Sequence, residues 1–206
     1  MSPLKELILS FRGREDFPIR VDEVKEWLIR GGYQDRIEFY PVDVDPGILK
    51  GQISQYICRS RPYAEPERVT EVLYSKHMND CWRRFVCCKE LVHILDDKAA
   101  STSTSEQIDA LTLNLTSPTS MESSDMPKDY WAERAASLKT LCILAQMDAV
   151  DKLKQQYLAG AKTPYDVAVF FRIPEVYVDF LFSQKFKAIE AVFSGAASPI
   201  VRSASG

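Results

Sequence analysis

Histidine is nearly missing from this chain: His77 and His93 are the only two in 206 residues. A catalytic zinc takes three protein ligands, so it would have to draw on other residue types as well. The five cysteines (Cys58, Cys81, Cys87, Cys88 and Cys142) are odd in number and irregularly spaced. That excludes the evenly paired disulfide framework of a small secreted domain. No apolar run approaches the ~18 residues of a membrane span. Basic excess is lacking too, with 26 Lys and Arg against 29 Asp and Glu and a net charge of −3. Non-specific nucleic-acid binding, which needs such an excess to displace counterions, gains no support. The first ten residues carry an acid early and only a short apolar stretch, unlike a secretion leader. The expectation is a cytoplasmic protein with no membrane partner, in which Asn114-Leu115-Thr116 is a chance glycosylation match.

What is present is ordinary globular composition, 46% hydrophobic and 27% charged, in a chain long enough to bury a core without disulfide or metal. Residues 1–98 are mixed in pattern. Asp22 to Arg30 reads as a short helix with Asp22 as its cap and Gly31-Gly32 as its stop. Arg36 to Val44 alternates at period two around a proline that suits an edge strand. A turn at Asp45-Pro46-Gly47 leads to a second alternating run, Ile48 to Cys58, and Arg68 to Tyr74 is a third. The fold class expected is α+β, with a small, mostly antiparallel sheet and a helix from about Asn79 to Asp96.

Residues 99–128 change character: seven Ser and five Thr, no aromatic residue, and one Lys against four acids. Such a stretch buries too little to offset its chain entropy and is expected to be a disordered insert. Residues 129–190 return to helical periodicity. One helix is expected from Tyr130 to Ala149 and a shorter one from Val150 to Leu158. A closing pair, Thr163–Phe171 and Pro174–Phe186, has the apolar pattern of a helix-turn-helix. Residues 191–206 read as a flexible tail.

The stretch richest in chemistry is Trp82-Arg83-Arg84-Phe85-Val86-Cys87-Cys88-Lys89-Glu90-Leu91-Val92-His93. Zinc hydrolases of the H-E-x-x-H type set two His four residues apart on one helix face, with the Glu as general base toward metal-bound water. Here Glu90 and His93 keep those offsets, and Lys89 stands where the first His belongs. An ammonium has no lone pair to give, so Lys89 cannot ligate zinc.

The segment from Asn79 through Arg83-Arg84-Phe85 to Lys89-Glu90-Leu91-x-His93 resembles the ImmA/IrrE family of metallo-endopeptidases, marked by R-R-F-T-x-x-H-E-x-G-H. Asp129-Tyr130-Trp131-Ala132-Glu133-Arg134-Ala135-Ala136 is similar to the family helix E-x-x-A-N-x-F-A, which makes Glu133 the counterpart of its third zinc ligand. Val167 to Leu181 resembles the family's trailing motif. The resemblance implies a zincin-like domain with a helical C-terminal region, with Glu90 as a vestigial catalytic residue and His93 and Glu133 as residual metal positions. It implies a protein partner, such as a helix-turn-helix transcription regulator, in phage, mobile-element or stress regulation. Three functions stay open. The first is a pseudoenzyme that works by protein binding, with no cofactor. The second is an active zinc metallo-endopeptidase that cleaves a helix-turn-helix repressor. The third is a DNA-binding regulator acting through residues 163–187. Lys89 is also expected to replace the dication with a single charge by pairing with Glu133.

Overall fold

Ser2 accepts a hydrogen bond from the amide of Lys5 (3.3 Å) and Pro3 takes the first helical position, so the chain enters helix α1 (Pro3–Ser10) almost at once. A proline there gives up an amide that would have no helical partner anyway. The computed structural model describes residues 1–59, 61, 63, 65–99 and 128–196. Helix α2 (Val21–Arg30) starts one residue before the expected Asp22. Its cap position is Arg20, whose amide is answered by the Glu23 carboxylate (3.0 Å), and Asp22 lies in the first turn.

Three strands follow: β1 (Arg36–Val42), β2 (Gly51–Cys58) and β3 (Glu67–Ser75). Their order is β1-β3-β2, with β3 antiparallel to β2 and parallel to β1. The sheet is therefore mixed, where a mostly antiparallel one was expected. β3 holds the buried residues Val69, Thr70, Val72 and Ser75, whereas β1 and β2 are more exposed. The strand with the most buried residues takes the centre, and the two consecutive strands before it become the edges. Pro41 sits on edge strand β1, where a missing amide is tolerated.

Helix α3 (Asp80–Ala99) is the spine of the molecule. Asn79 caps it, accepting from the amide of Trp82 (3.0 Å). From Phe85 to Leu95 every residue is buried except the half-buried His93, because α1, α2, the sheet and helix α4 (Lys128–Leu144) surround it. A helix enclosed on all sides has no polar stripe to present to water. Lys89 and Glu90 therefore lie inside a belt that is otherwise apolar.

Helix α4 ends at Leu144 rather than running on to Ala149, and α5 (Met147–Leu158) begins after a break. Gln146 causes it by turning its side-chain amide back onto the carbonyls of Cys142 (2.9 Å) and Ile143 (3.0 Å). Helix α6 (Pro164–Phe171) forms as expected, with Thr163 and Asp166 exchanging capping bonds. The expected helix 174–186 does not form as one piece. A 3-10 turn at Glu175–Tyr177 and a single turn of α7 (Val178–Leu181) replace it. Ser183 then caps a new helix, α8 (Gln184–Phe193), by accepting from the amide of Phe186 (3.1 Å).

α8 extends past residue 190, and Phe193 and Ser194 are buried where a tail was expected from 191. Arg12, just after α1, reaches Glu190 on α8 (2.8 Å), and the first and last described helices share one apolar core. The Ser/Thr-rich insert lies outside the described residues apart from its helical flanks Ala99 and Lys128, and so do residues 197–206 of the expected tail. Among the described residues the architecture is α+β: eight α-helices and one three-stranded sheet. No helix among them is long and apolar enough to cross a membrane.

Candidate functional site

Residues 89 and 93 lie one turn apart on α3, so their side chains leave the same face of the helix. Helix α4 crosses that face and brings Glu133 to both. One carboxylate oxygen, Oε2, accepts from the Lys89 ammonium, and the other, Oε1, lies 3.1 Å from Nε2 of His93. Lys89 Nζ also lies 3.0 Å from Oε1 of Glu90. Glu90 Oε1 and His93 Nε2 are buried and neither makes an aligned hydrogen bond, so these two contacts are ionic and dipolar rather than directional. The expected Lys89–Glu133 pair is present, and the four residues singled out around the motif meet at one point.

The electrostatics follow from the packing. His93 beside its carboxylate, and Lys89 after it, hold Glu133 down to about 2 against the pull of burial. Burial works against the Lys89 ammonium, but Glu90 and then Glu133 outweigh it, and its pKa is raised. The Lys89 side chain is only 11% exposed and that of Glu90 3%, whereas Glu133 is 55% exposed. The cluster thus has a sealed side at Glu90 and a wet side at Glu133.

Above it opens a cleft of about 370 Å³. Its walls are Trp82, Phe85 and Tyr177, and the loop Pro46–Lys50 forms its rim. Phe85 stacks on Tyr177 with centroids 4.7 Å apart, and Trp82 meets Phe85 edge-on at 6.1 Å. The Lys50 ammonium sits 4.4 Å from the Trp82 ring centre, a cation–π contact at the mouth. Gly51 opens β2 directly against α3. A Cβ there would come within 2.2 Å of Val86 Cγ1 and 2.9 Å of Glu90 Oε1. Sequence reasoning passed over Gly51, Lys50 and Tyr177. An isolated glycine at the start of an alternating run is a signal of close backbone approach, whereas Lys50 and Tyr177 carry none, since each acts only through a distant partner.

The other candidate side chains fall elsewhere. His77 sits in the turn before α3 and pairs with Asp43 (2.6 Å) in an exposed position. All five cysteines are free. Burial pushes Cys87 and Cys88 up to about 12, so neither offers a thiolate. Arg84, at the centre of the Arg-Arg-Phe motif, serves the fold by donating to the carbonyls of Ile19, Phe171 and Arg172.

A resident zinc does not fit these residues. The ammonium of Lys89 lies between the carboxylates and can only donate. His93 and Glu133 are the two ligand types left on that face. Among the described residues no three His, Cys, Asp or Glu side chains are grouped to hold a metal ion. Compared with known proteins, the chain matches no protein-family model, no curated protein and no solved structure.

Proposed function

We propose that this protein is a zincin-like relative of the ImmA/IrrE metallo-endopeptidases that has exchanged hydrolysis for protein binding. One observation carries the reading. The residue at the first ligand position of the resembling motif is a lysine whose ammonium bridges Glu90 and Glu133. Glu90 then has no metal-polarised water to deprotonate, and its carboxylate is committed to a cation. What remains is a cleft with aromatic walls and an ionic floor, the kind of surface that receives a side chain of a protein partner. A helix-turn-helix regulator is the partner class that the resemblance implies, and the cytoplasm the matching compartment.

Metal analysis of the purified protein tests this reading. Far less than one zinc per chain is expected. Roughly one zinc per chain, retained through dialysis and lost in His93→Ala, would restore the active-peptidase alternative. The DNA-binding alternative is not favoured by the geometry, because α6 is followed by a 3-10 turn and one turn of helix. A recognition helix needs several turns to lay side chains along a groove. Salt-dependent binding to duplex DNA would reopen it.

A further inference from the structure

Lys89 does more than stand where a ligand is missing. It touches Glu90 on its own helix and Glu133 on α4, whose second oxygen lies against the imidazole of His93. Glu90 is sealed beneath β2, where Gly51 closes over it. A carboxylate so placed is costly to bury without a counter-charge. Glu133 stands on α4, so its pair with Lys89 is a contact made across the α3–α4 seam. At the same level the α4 residues Ala132, Glu133 and Arg134 are exposed or half-buried, and Ala135 follows as a buried residue.

We infer that Lys89 is a tethered counter-cation. It sits between Glu90 and Glu133, whose other oxygen reaches His93, ties α4 to α3, and keeps the floor of the cleft in shape while shutting a divalent cation out. A dication in that place would leave if chelated, whereas a cation on a side chain cannot. The floor is therefore independent of metal supply. The inference stands on the ion cluster and holds with or without the family reading.

Thermal melting of the full chain, with zinc chloride or with EDTA, tests it. The wild-type midpoint should be the same in both. Lys89→Met should lower the midpoint by several degrees and Glu133→Gln by less, because a half-exposed carboxylate is screened. The double variant should melt higher than the two losses added together predict, because each single change leaves a charge without its partner. Lys89→Arg keeps the cation and should retain most of the stability, and it remains readable if Lys89→Met does not fold. Lys89→His places an imidazole one turn from His93 and should make the melt rise with zinc, an effect removed by adding His93→Ala. Strictly additive losses, a Lys89→Met variant as stable as wild type, or a Lys89→Arg variant as damaged as Lys89→Met would overturn the tethered cation while leaving a metal-free binding protein intact. A wild-type midpoint that falls in EDTA would overturn both.

Discussion

Arg84 and Lys89 stand five residues apart on α3, and each takes a full positive charge into the protein, yet the two sites answer that charge in opposite ways. Arg84 is met by backbone carbonyls of Ile19, Phe171 and Arg172. Burial dominates there and pulls its pKa down. Lys89 is met by the carboxylates of Glu90 and Glu133, which outweigh burial and push its pKa up. Carbonyl dipoles hold a cation without neutralising it, and a planar guanidinium can serve several of them at fixed angles. Carboxylates neutralise the cation and become dependent on it. The first turns of α3 therefore carry a geometric clamp, and its middle carries an electrostatic one.

The largest effect expected is at the geometric clamp. Arg84→Met leaves three carbonyls short of a donor and frees α6 from α3. The cost should be about 2–4 kcal/mol at ~1–3 kcal/mol for each buried group left unpaired, with some recovered by water. Arg84→Lys should recover little, because an ammonium cannot span three acceptors in the same fork. Urea unfolding checks both, and the loss should hardly change with salt. A strong salt dependence would show that this site is electrostatic after all.

Gly51→Ala strikes the electrostatic clamp. Its Cβ would overlap Val86 and crowd Glu90, so β2 must shift from α3 at a cost of about 1–3 kcal/mol. Hydrogen exchange should speed up along β2 and near residues 86–90, with α6 unaffected. An unchanged melt would mean that the strand does not approach α3 this closely.

Changing pH should separate the two clamps without mutation. The Glu133 carboxyl goes from its ordinary 4.5 down to about 2 in the folded state. Its contribution is complete above pH 4.5 and is lost as pH falls from there toward 2. Lys89 is raised above its ordinary 10.5, so its contribution is complete below pH 10.5 and is lost as pH rises through the higher folded value. The contributions of Glu133 and Lys89 should not change between those two limits. In Lys89→Met the alkaline loss should disappear and the acid loss should shrink. Equal pH profiles for variant and wild type would assign both losses to other groups.

The smallest effect is a gain. Arg172 ends α6 in the left-handed region, at φ 48° and ψ 52°. Arg172→Gly relieves a strain of ~1–2 kcal/mol and adds ~0.5–1 kcal/mol of chain entropy lost on folding. Because the carbonyl that Arg84 holds is a backbone group, the clamp survives. A rise in stability of about 0.5 kcal/mol is expected, readable as a small increase in the melting midpoint, and a fall would show that the Arg172 side chain contributes through Asp80, 3.8 Å away.

Features built from neighbours in sequence were legible before any coordinates. The capping exchange of Thr163 and Asp166, the start of α3 at Asn79 and the stop after Arg30 all depend on partners within three or four residues. Even so, local signals misled where two of them competed. Asp22 was a plausible cap until Glu23 took the task for Arg20, and the apolar pattern from Pro174 to Phe186 concealed the new cap at Ser183. Helix α1 carried its own start signal in Ser2-Pro3, and that signal was overlooked.

The candidate site divides along the same line. Glu90 and His93 declare their shared helix by spacing alone, but Glu133, 44 residues beyond Lys89, is locally no different from any surface carboxylate. It could be paired with Lys89 only through the resemblance of its helix to another family's. The sequence by itself determined which residues turn, cap and alternate, because those choices are settled by hydrogen bonds and torsions a few residues wide. Only the tertiary structure decided that β3 runs between its two predecessors, that Gly51 must lack a side chain, and that a lysine inside an apolar belt holds two helices together. Those outcomes depend on which surfaces lose water together, and burial is a property of the packed chain rather than of any stretch of it.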